Sequence, residues 1–247
     1  MLPRRSLSVP PYHALAMRTL ITLGCLLTLV LSGCSRSTDD ANAPTPRRTA
    51  PPAATTTHEP GIPEGGRLVF EDRFDGESFD ERWTTASPRW RLADGRLQVQ
   101  GARNEGFWLQ VPLPEQVKIT YETTSHSPDG DLKFEVFTDG RTHESGYVGI
   151  FGGWQNRLNI IARLDEHGDD RLVGQPGVRV VPEQRYTFTI VRTDQRLRWY
   201  IDGEHFLTWD DSAALRGPGH AYFGFNNWDV PTSFHSIRVY DLAPDGP

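Results

Sequence analysis

The stretch Leu197-Arg198-Trp199-Tyr200-Ile201-Asp202-Gly203 decides the predicted fold. The large apolar side chains at 197, 199 and 201 lie on one face of an extended chain, because successive side chains of a β-strand point to opposite faces. The Asp-Gly pair then supplies the backbone conformation of a tight hairpin turn. The preceding segment 186–190 alternates in the same way, with threonine on its second face. This pattern is typical of half-buried antiparallel strands.

The same alternation continues on both sides of this hairpin, over residues 67–242. Apolar residues alternate with polar ones at 132–136 and again at 158–164, and Asp-Gly pairs at 94–95 and 139–140 predict two more tight hairpins. We find no helical periodicity that extends over more than a few residues. About 180 residues in short strands therefore predict an all-β domain, a two-sheet antiparallel sandwich around one core.

The composition of the 247-residue chain excludes several classes of protein. With 37% hydrophobic and 23% charged residues, the chain is neither disordered throughout, nor collagen-like, nor a multi-span membrane protein. Its cysteines, Cys25 and Cys34, are too few for a dense disulfide framework or a four-thiolate zinc site. Residues 67–247 carry 20 basic and 28 acidic side chains, so we expect no nucleic-acid-binding surface.

The first 33 residues are predicted to be a signal peptide. The uncharged apolar run 20–31 follows Arg18. As a helix it would span about 18 Å, well short of the ~30 Å hydrocarbon core of a membrane. Translation starting at the first residue or at Met17 would give a basic leader in either case. The run ends in Leu31-Ser32-Gly33-Cys34, which resembles a bacterial lipobox.

The lipobox resemblance implies that Cys34 is diacylated and becomes the mature N-terminus, which anchors the protein to a membrane. Because Ser35 rather than aspartate follows, we expect sorting to the bacterial outer membrane. Residues 34–66 are rich in proline, threonine and alanine and bury too little surface to order, so they predict a disordered tether with a reach of about 30 Å. Residues 243–247 are predicted to be a short tail.

Four motifs spread over the domain resemble the concanavalin A-like lectin/glucanase superfamily, namely Phe70–Asp75, Trp90–Leu97, Leu197–Gly203 and Phe234–Tyr240. Within that superfamily the chain is most similar to laminin-G-like domains and to the 3-keto-disaccharide hydrolase group, also called domain of unknown function 1080. The resemblance implies a jelly roll of two antiparallel sheets, with saccharides bound across a concave face or at its rim loops. The superfamily includes enzymes and pure binders, so the fold does not fix the function.

Glu135 is the candidate catalytic residue. The glucanase branch of the superfamily uses a strand-borne Glu-x-Asp-x-x-Glu, and no glutamate of this chain has an aspartate two positions later. A different carboxylate pair is compatible with the sequence, because Glu135 points away from Phe134 and Val136 and has Glu144 or Asp165 as a companion. The alternative is that Glu135 lies on a solvated sheet face.

Two loops combine a tryptophan with amides, as sugar-binding sites do. In this interpretation Trp154 and Trp228 cover the C–H face of a pyranose, and Asn156 and Asn227 hydrogen-bond its hydroxyls. The alternative is that each tryptophan plugs one end of the core and that the asparagines supply turn conformations with positive φ.

The segment 158–164 adds Asn159 and Arg163 as candidate ligand-binding residues, with an ion-paired surface strand as the alternative. The acidic segment 165–170 makes a calcium-binding site an alternative, because calcium prefers clustered oxygen ligands. Its spacing, however, matches no calcium loop that we can name. The histidines are too scattered for a zinc site. We therefore predict no metal site and no cofactor.

Three functions are compatible with these features. The preferred one is a lipid-anchored cell-envelope protein whose β-sandwich binds an oligo- or polysaccharide. The second is a glycoside-cleaving enzyme of the 3-keto-disaccharide hydrolase type, and the third is a structural or protein-interaction module of the envelope. The sequence contains no glycine-rich phosphate loop and no serine-centred nucleophile elbow, so neither of those chemistries is expected.

Overall fold

The computed structural model of the protein describes residues 60–243. The predicted signal peptide 1–33, the lipidation site Cys34 and most of the predicted tether lie outside the described residues. Within them the elements are, in chain order, β1 (Arg67–Asp72), β2 (Trp83–Thr84), β3 (Arg91–Ala93), β4 (Arg96–Val99), β5 (Phe107–Leu109), β6 (Val117–Ser125), β7 (Leu132–Thr138), β8 (Tyr147–Gly152), α1 (Gly153–Asn156), β9 (Leu158–Arg163), β10 (Leu172–Val173), β11 (Arg185–Thr193), β12 (Arg196–Ile201), β13 (Glu204–Asp210), β14 (Tyr222–Asn226) and β15 (Thr232–Asp241).

The strands form two antiparallel sheets. Sheet A has the order β13-β12-β11-β6-β15-β4-β3, with β1 also paired to β15, and sheet B has the order β10-β9-β8-β7-β14-β5-β2. Strands far apart in sequence are neighbours in both sheets, as β6 and β15 are in sheet A and β7 and β14 in sheet B. The predicted all-β, two-sheet antiparallel jelly roll is therefore confirmed. No helix within residues 60–243 is both long and apolar enough to span a membrane.

Aromatic rings fill the space between the sheets. Phe225 of β14 stacks on Phe234 of β15 with ring centroids 4.1 Å apart, and it packs edge-on against Tyr121 of β6 at 5.0 Å. At another point Trp199 of β12 packs against Phe134 of β7, also at 5.0 Å. Each such ring removes about 150–250 Å² from water, so these contacts stabilise the stacking of sheet B on sheet A.

The Asp-Gly pairs behave in two different ways. Asp94-Gly95 and Asp202-Gly203 join consecutive strands with positive φ at both residues, as a tight hairpin requires. The prediction for Asp139-Gly140 is wrong, since residues 139–146 form a longer connection between β7 and β8. The Asp139 carboxylate accepts the backbone N–H of Arg141 and Thr142 at 2.8 and 2.7 Å, and these bonds hold the longer turn instead.

Several strands predicted to be half-buried are buried on both faces. In β12 of sheet A, Arg198 and Tyr200 are buried as well as Leu197 and Trp199. Every residue of β7 is buried, and so are the four central residues of β9. One face of these strands packs against sheet A. The other face of β7 is covered by two connections: residues 139–146, which we call the His143 loop, and residues 164–171, which we call the Glu166 loop. On β9, Ile160 and Ala162 belong to a cluster against which Trp154 packs. Alternation alone does not reveal such loops, so the sequence suggested a half-buried pattern.

The last residues of the predicted tether lie against the sandwich. The Tyr200 hydroxyl donates to the carbonyl of Pro60 at 2.6 Å. The ammonium of Lys118 donates to the carbonyls of Pro63 and Gly65 at 2.9 and 2.8 Å. These bonds fix the direction in which the chain enters β1.

Candidate functional site

A pocket of about 470 Å³ opens on the face of sheet B that points away from the core. Its floor includes Lys133 of β7 and Ile150 of β8, which are direct partners in the antiparallel register. Trp154 and Trp228, which come from two different connections, both line it. The structure thus brings together the two tryptophans identified from the sequence as candidate ligand-binding residues. Trp154 comes from the β8–β9 connection and Trp228 from the β14–β15 connection.

Trp154 lies in α1, a turn with left-handed backbone. The φ angles of Trp154, Gln155 and Asn156 are 51°, 61° and 60°. This conformation costs about 1–2 kcal/mol for each residue other than glycine, so the surroundings must hold it in place. The Asn156 side chain does so, because its amide donates to the carbonyls of Pro128 and Val180 and its oxygen accepts the N–H of Val180 at 2.8 Å.

The Trp154 indole is half-buried and supported from below. It packs on a small apolar cluster of sheet B that includes Ile150 and Ile160. The Arg171 guanidinium lies 5.2 Å from its ring centre, and the His167 ring meets it edge-on at 5.4 Å. Both come from the Glu166 loop. Trp154 therefore forms a wall of the pocket that is firmly held on one side.

Trp228 has a fixed backbone but a free side chain. It lies in residues 227–231, which we call the Trp228 loop. Its N–H donates to the Asp131 carboxylate at 3.2 Å, and its carbonyl accepts the N–H of Arg103 at 2.7 Å. The indole nevertheless remains 53% exposed. A large exposed aromatic side chain on an anchored loop contributes little to the core and is available to a ligand.

An ion pair lies at the floor of the pocket. The Lys133 ammonium, whose side chain is 2% exposed, donates to Glu166 at 2.8 Å and to the side-chain oxygen of Asn104 at 3.0 Å. Burial acts to raise the pKa of Glu166, but the His143 imidazolium, with Nε2 3.7 Å from the carboxylate, and the charge of Lys133 outweigh it and lower this pKa to about 2. Glu166 is therefore ionised throughout the physiological range.

Asp131 lines the same pocket in a different electrostatic environment. Burial raises its pKa, and the negative charge of Glu166 raises it further, while Lys133 and the N–H of Trp228 act in the opposite direction. Asp131 and Glu166 thus have pKa values shifted in opposite directions within one cavity.

Glu135 lies beneath this site and does not line the pocket. It is completely buried, so the expectation of a solvated sheet face is wrong. One carboxylate oxygen accepts from His143 Nδ1 at 2.6 Å and from the Asn226 amide, and the other accepts the N–H of Glu144 at 2.8 Å. Burial acts to lower the pKa of His143, but the hydrogen bond to Glu135 and the ion pair with Glu166 at 3.7 Å raise it to about 9. His143 is therefore an imidazolium at neutral pH.

The other predicted ligand-binding residues lie outside the pocket lining. Like Asn156, the buried Asn159 and Asn227 bind backbone groups: the Asn159 oxygen accepts the N–H of Gly152 at 2.9 Å, and the Asn227 amide donates to the carbonyl of Val230 at 2.8 Å. The guanidinium of Arg163 pairs with Asp211 at 3.0 Å. The three asparagines hold the connections that carry the tryptophans. Arg163 instead ties β9 to the segment that follows β13.

Lys133 and Asp131 were not identified from the sequence as pocket residues, and Glu166 was not identified as the partner of Lys133. One signal was available, because Asp131, directly before β7, and Lys133 and Glu135 within it are spaced two residues apart and carry charges of alternating sign. Asp165, proposed as a companion of Glu135, instead accepts the N–H of His167 on the exposed surface.

His143, Glu144 and Glu166 are the group within residues 60–243 that could hold a metal ion, since their ligand atoms lie within 4.8 Å of one another. A cation there would have to displace the Lys133 ammonium from Glu166 and remove a proton from His143. Both changes oppose binding, so we assign no metal to this group.

Comparison with known proteins identifies the architecture. No protein-family model matches the chain, and no curated protein matches it. Among solved structures, the carbohydrate-binding module CBM66 from Bacillus subtilis matches with a TM-score of 0.53 at 15% identity, covering 65% of this chain and 96% of the module. The laminarinase catalytic domain from Thermotoga maritima matches with a TM-score of 0.53 at 13% identity, covering 73% and 100%. The domain has a concanavalin A-like fold.

A third concanavalin A-like structure is the exoplasmic/lumenal domain of VIP36 in its Ca²⁺/Man2-bound form. It matches with a TM-score of 0.55 at 9% identity, covering 72% of this chain and 89% of that domain. At these identities the comparisons establish the fold alone.

The charge of His143 makes stability depend on pH. Because its pKa is raised from 6.5 to about 9 in the folded protein, the stabilisation is complete below pH 6.5 and is lost as the pH rises through 9. We expect the free energy of unfolding, measured by urea titration, to fall across this window in the parent protein. His143→Gln should remove most of this slope, and an equally steep fall in the variant would contradict the assignment.

Proposed function

We propose that the domain binds carbohydrate in the pocket between Trp154 and Trp228. The observation that carries the proposal is Trp228, an exposed indole on an anchored loop that lines a cavity with a second indole. Aromatic faces pack against the C–H side of a pyranose ring, and the two tryptophans come from separate connections that meet only in the folded domain.

The polar lining of the pocket suits hydroxyl groups. Asn104, Gln155 and Asp131 offer donors and acceptors at the pocket surface. A sugar hydroxyl buried without a partner would cost about 1–3 kcal/mol, so such groups are needed wherever a ring is enclosed. The volume of about 470 Å³ is within the usual range for a small-ligand site.

Proteins with the same fold support this proposal by analogy. CBM66 is described as a carbohydrate-binding module, and the VIP36 domain was solved with Man2 bound. Fold analogy raises the expectation of a sugar ligand, while the argument for this protein depends on its own pocket.

Removal of the exposed indole tests the proposal. About 100 Å² of indole removed from water at ~25 cal/mol per Å² contributes about 2.5 kcal/mol, so Trp228→Ala should weaken binding by on the order of 50-fold. A glycan array finds the ligand, and calorimetry measures the affinity. Phe79→Ala is the control, because Phe79 is 36% exposed and does not line the pocket.

Unchanged affinity in folded Trp228→Ala would contradict the site. A blank array together with a stoichiometric co-purifying protein would contradict carbohydrate binding and favour the structural or protein-interaction module.

Glycoside cleavage of the 3-keto-disaccharide hydrolase type is the second candidate. The observation that favours it is the pair Asp131 and Glu166, whose pKa values are shifted apart in one pocket. Such pairs serve as an acid and an ionised partner in glycosidases. Glu135 fits this role less well, because His143, Asn226 and the Glu144 backbone occupy its oxygens.

If the domain is an enzyme, Asp131→Asn should lower the rate of sugar release by about 10²–10⁴-fold, the usual contribution of a general acid or base. The assay incubates the purified domain with glycosides and 3-keto-glycosides. Glu135→Gln should lower the rate of sugar release much less, because Glu135 does not line the pocket. No release from any substrate by the parent domain leaves binding as the function, and equal rates in Asp131→Asn would remove Asp131 from the mechanism.

Lipid anchoring at Cys34 is a further part of the proposed function, and it lies outside the described residues. It is supported by the lipobox resemblance of residues 31–34. In a bacterial host the parent protein should fractionate with the outer membrane and incorporate labelled fatty acid. Cys34→Ser should abolish the labelling. Labelling of Cys34→Ser at the parent level would overturn the anchor.

A further inference from the structure

The lining of the tryptophan pocket is strongly acidic. Asp129, Asp131, Glu166 and Asp229 line it, against the single lysine, Lys133. The ligand that fits this pocket is therefore constrained by charge as well as by shape, provided that the pocket is the carbohydrate site proposed above.

The one lysine does not balance this charge for a ligand. Lys133 is almost fully buried and already donates to Glu166 and Asn104. The pair Lys133–Glu166 is neutral as a unit, so the titratable groups that remain in the lining contributed by residues 60–243 are the three aspartates Asp129, Asp131 and Asp229 and the imidazole of His167. A carboxylate or sulfate on a ligand would meet repulsion there, and no free guanidinium or ammonium lines the pocket to offset it.

The two indoles add attraction for the opposite charge. The face of tryptophan attracts cations through the ring quadrupole, and the attraction grows as the cation loses water. The face of sheet B already contains one such contact, between the Arg171 guanidinium and the Trp154 ring at 5.2 Å. Trp228, by contrast, is half-exposed and leaves part of its ring open to a ligand.

The raised pKa of Asp131 is consistent with a negative electrostatic potential in the pocket. Burial and the charge of Glu166 raise its pKa even though Lys133 lies nearby. A bound cation would relieve this repulsion between carboxylates.

We propose that the pocket selects sugar units that carry a protonated amino group, such as a hexosamine without its N-acetyl group. The pyranose ring lies between the indoles, and its ammonium faces the carboxylates of Asp129, Asp131 and Asp229. A neutral hexose or an N-acetylated hexosamine keeps the ring contact but loses the charge pairing. A uronic acid is excluded by repulsion.

The test compares oligosaccharides that differ only at the amine. Calorimetry at mildly acidic pH uses de-N-acetylated and fully N-acetylated β-1,4-glucosamine hexamers, with an oligogalacturonate of equal length. We expect the amine form to bind at least about tenfold more tightly than the acetylated form, with no detectable binding of the galacturonate. Added salt should weaken the amine form selectively.

Charge-neutralising variants supply the second arm. Asp129→Asn/Asp229→Asn should lower the affinity for the amine hexamer far more than that for the acetylated one, so that the two affinities become similar. Glu77→Gln/Asp94→Asn is the matched control, since it removes the same charge from residues outside the pocket lining. Tetralysine serves as a cation without a sugar ring.

The outcomes separate this inference from the proposed function. Equal or tighter binding of the acetylated hexamer overturns the amine preference and leaves carbohydrate binding intact. Binding of tetralysine as tight as that of the amine hexamer, or an equal loss in the control variant, overturns it as nonspecific charge attraction. If no glycan binds the parent domain, on these oligomers or on the array, carbohydrate binding itself fails.

Discussion

The pocket depends on a buried ionic network on the outer face of sheet B. Lys133 and Glu135 project from β7 and meet Glu166 and His143, which are supplied by the two covering loops. The Glu166 N–H also donates to the Glu144 carboxylate at 2.6 Å, which joins those loops to each other. Removal of one partner from such a pair typically costs 3–5 kcal/mol, because the other charge is left buried without compensation. The position of the pocket wall therefore follows from the positions of these charges.

The same face uses apolar packing beside this network. Val148, Ile150, Ile160 and Ala162 form a small cluster under Trp154, one strand away from the ion pairs. Apolar residues in place of the ion pairs can match their stability, but apolar contacts do not fix direction as hydrogen bonds do. The apolar half supports an indole from below, and the ionic half fixes two loops at their polar atoms. The pocket lies where the apolar cluster and the ionic network meet.

The sequence predicted the fold well because alternation and turn chemistry are local. Trp199 lies in the core while the Tyr200 hydroxyl donates to Pro60 outside it, as alternation predicts, and Asp202-Gly203 turns the chain as expected. The face of β7 that carries Lys133 and Glu135 was harder, because its burial depends on partners 33 and 8 residues further along the chain, Glu166 and His143. An asparagine in a loop is equally ambiguous from the sequence, because its side-chain amide can bind a ligand or hold the backbone of the loop.

Glu135 shows how a carboxylate can influence a pocket that it does not line. The glucanase pattern Glu-x-Asp-x-x-Glu places catalytic carboxylates on a strand face, whereas the strand-borne Glu135 of this chain lies one layer below the pocket. It helps to hold the charge of His143, and His143 in turn helps to keep Glu166 ionised. Glu135 is therefore a positioning residue that acts through His143. Its complete burial, rather than its position on the strand, determines this role. The oxygens of a buried carboxylate must accept hydrogen bonds from protein donors, so they are already occupied before any ligand arrives.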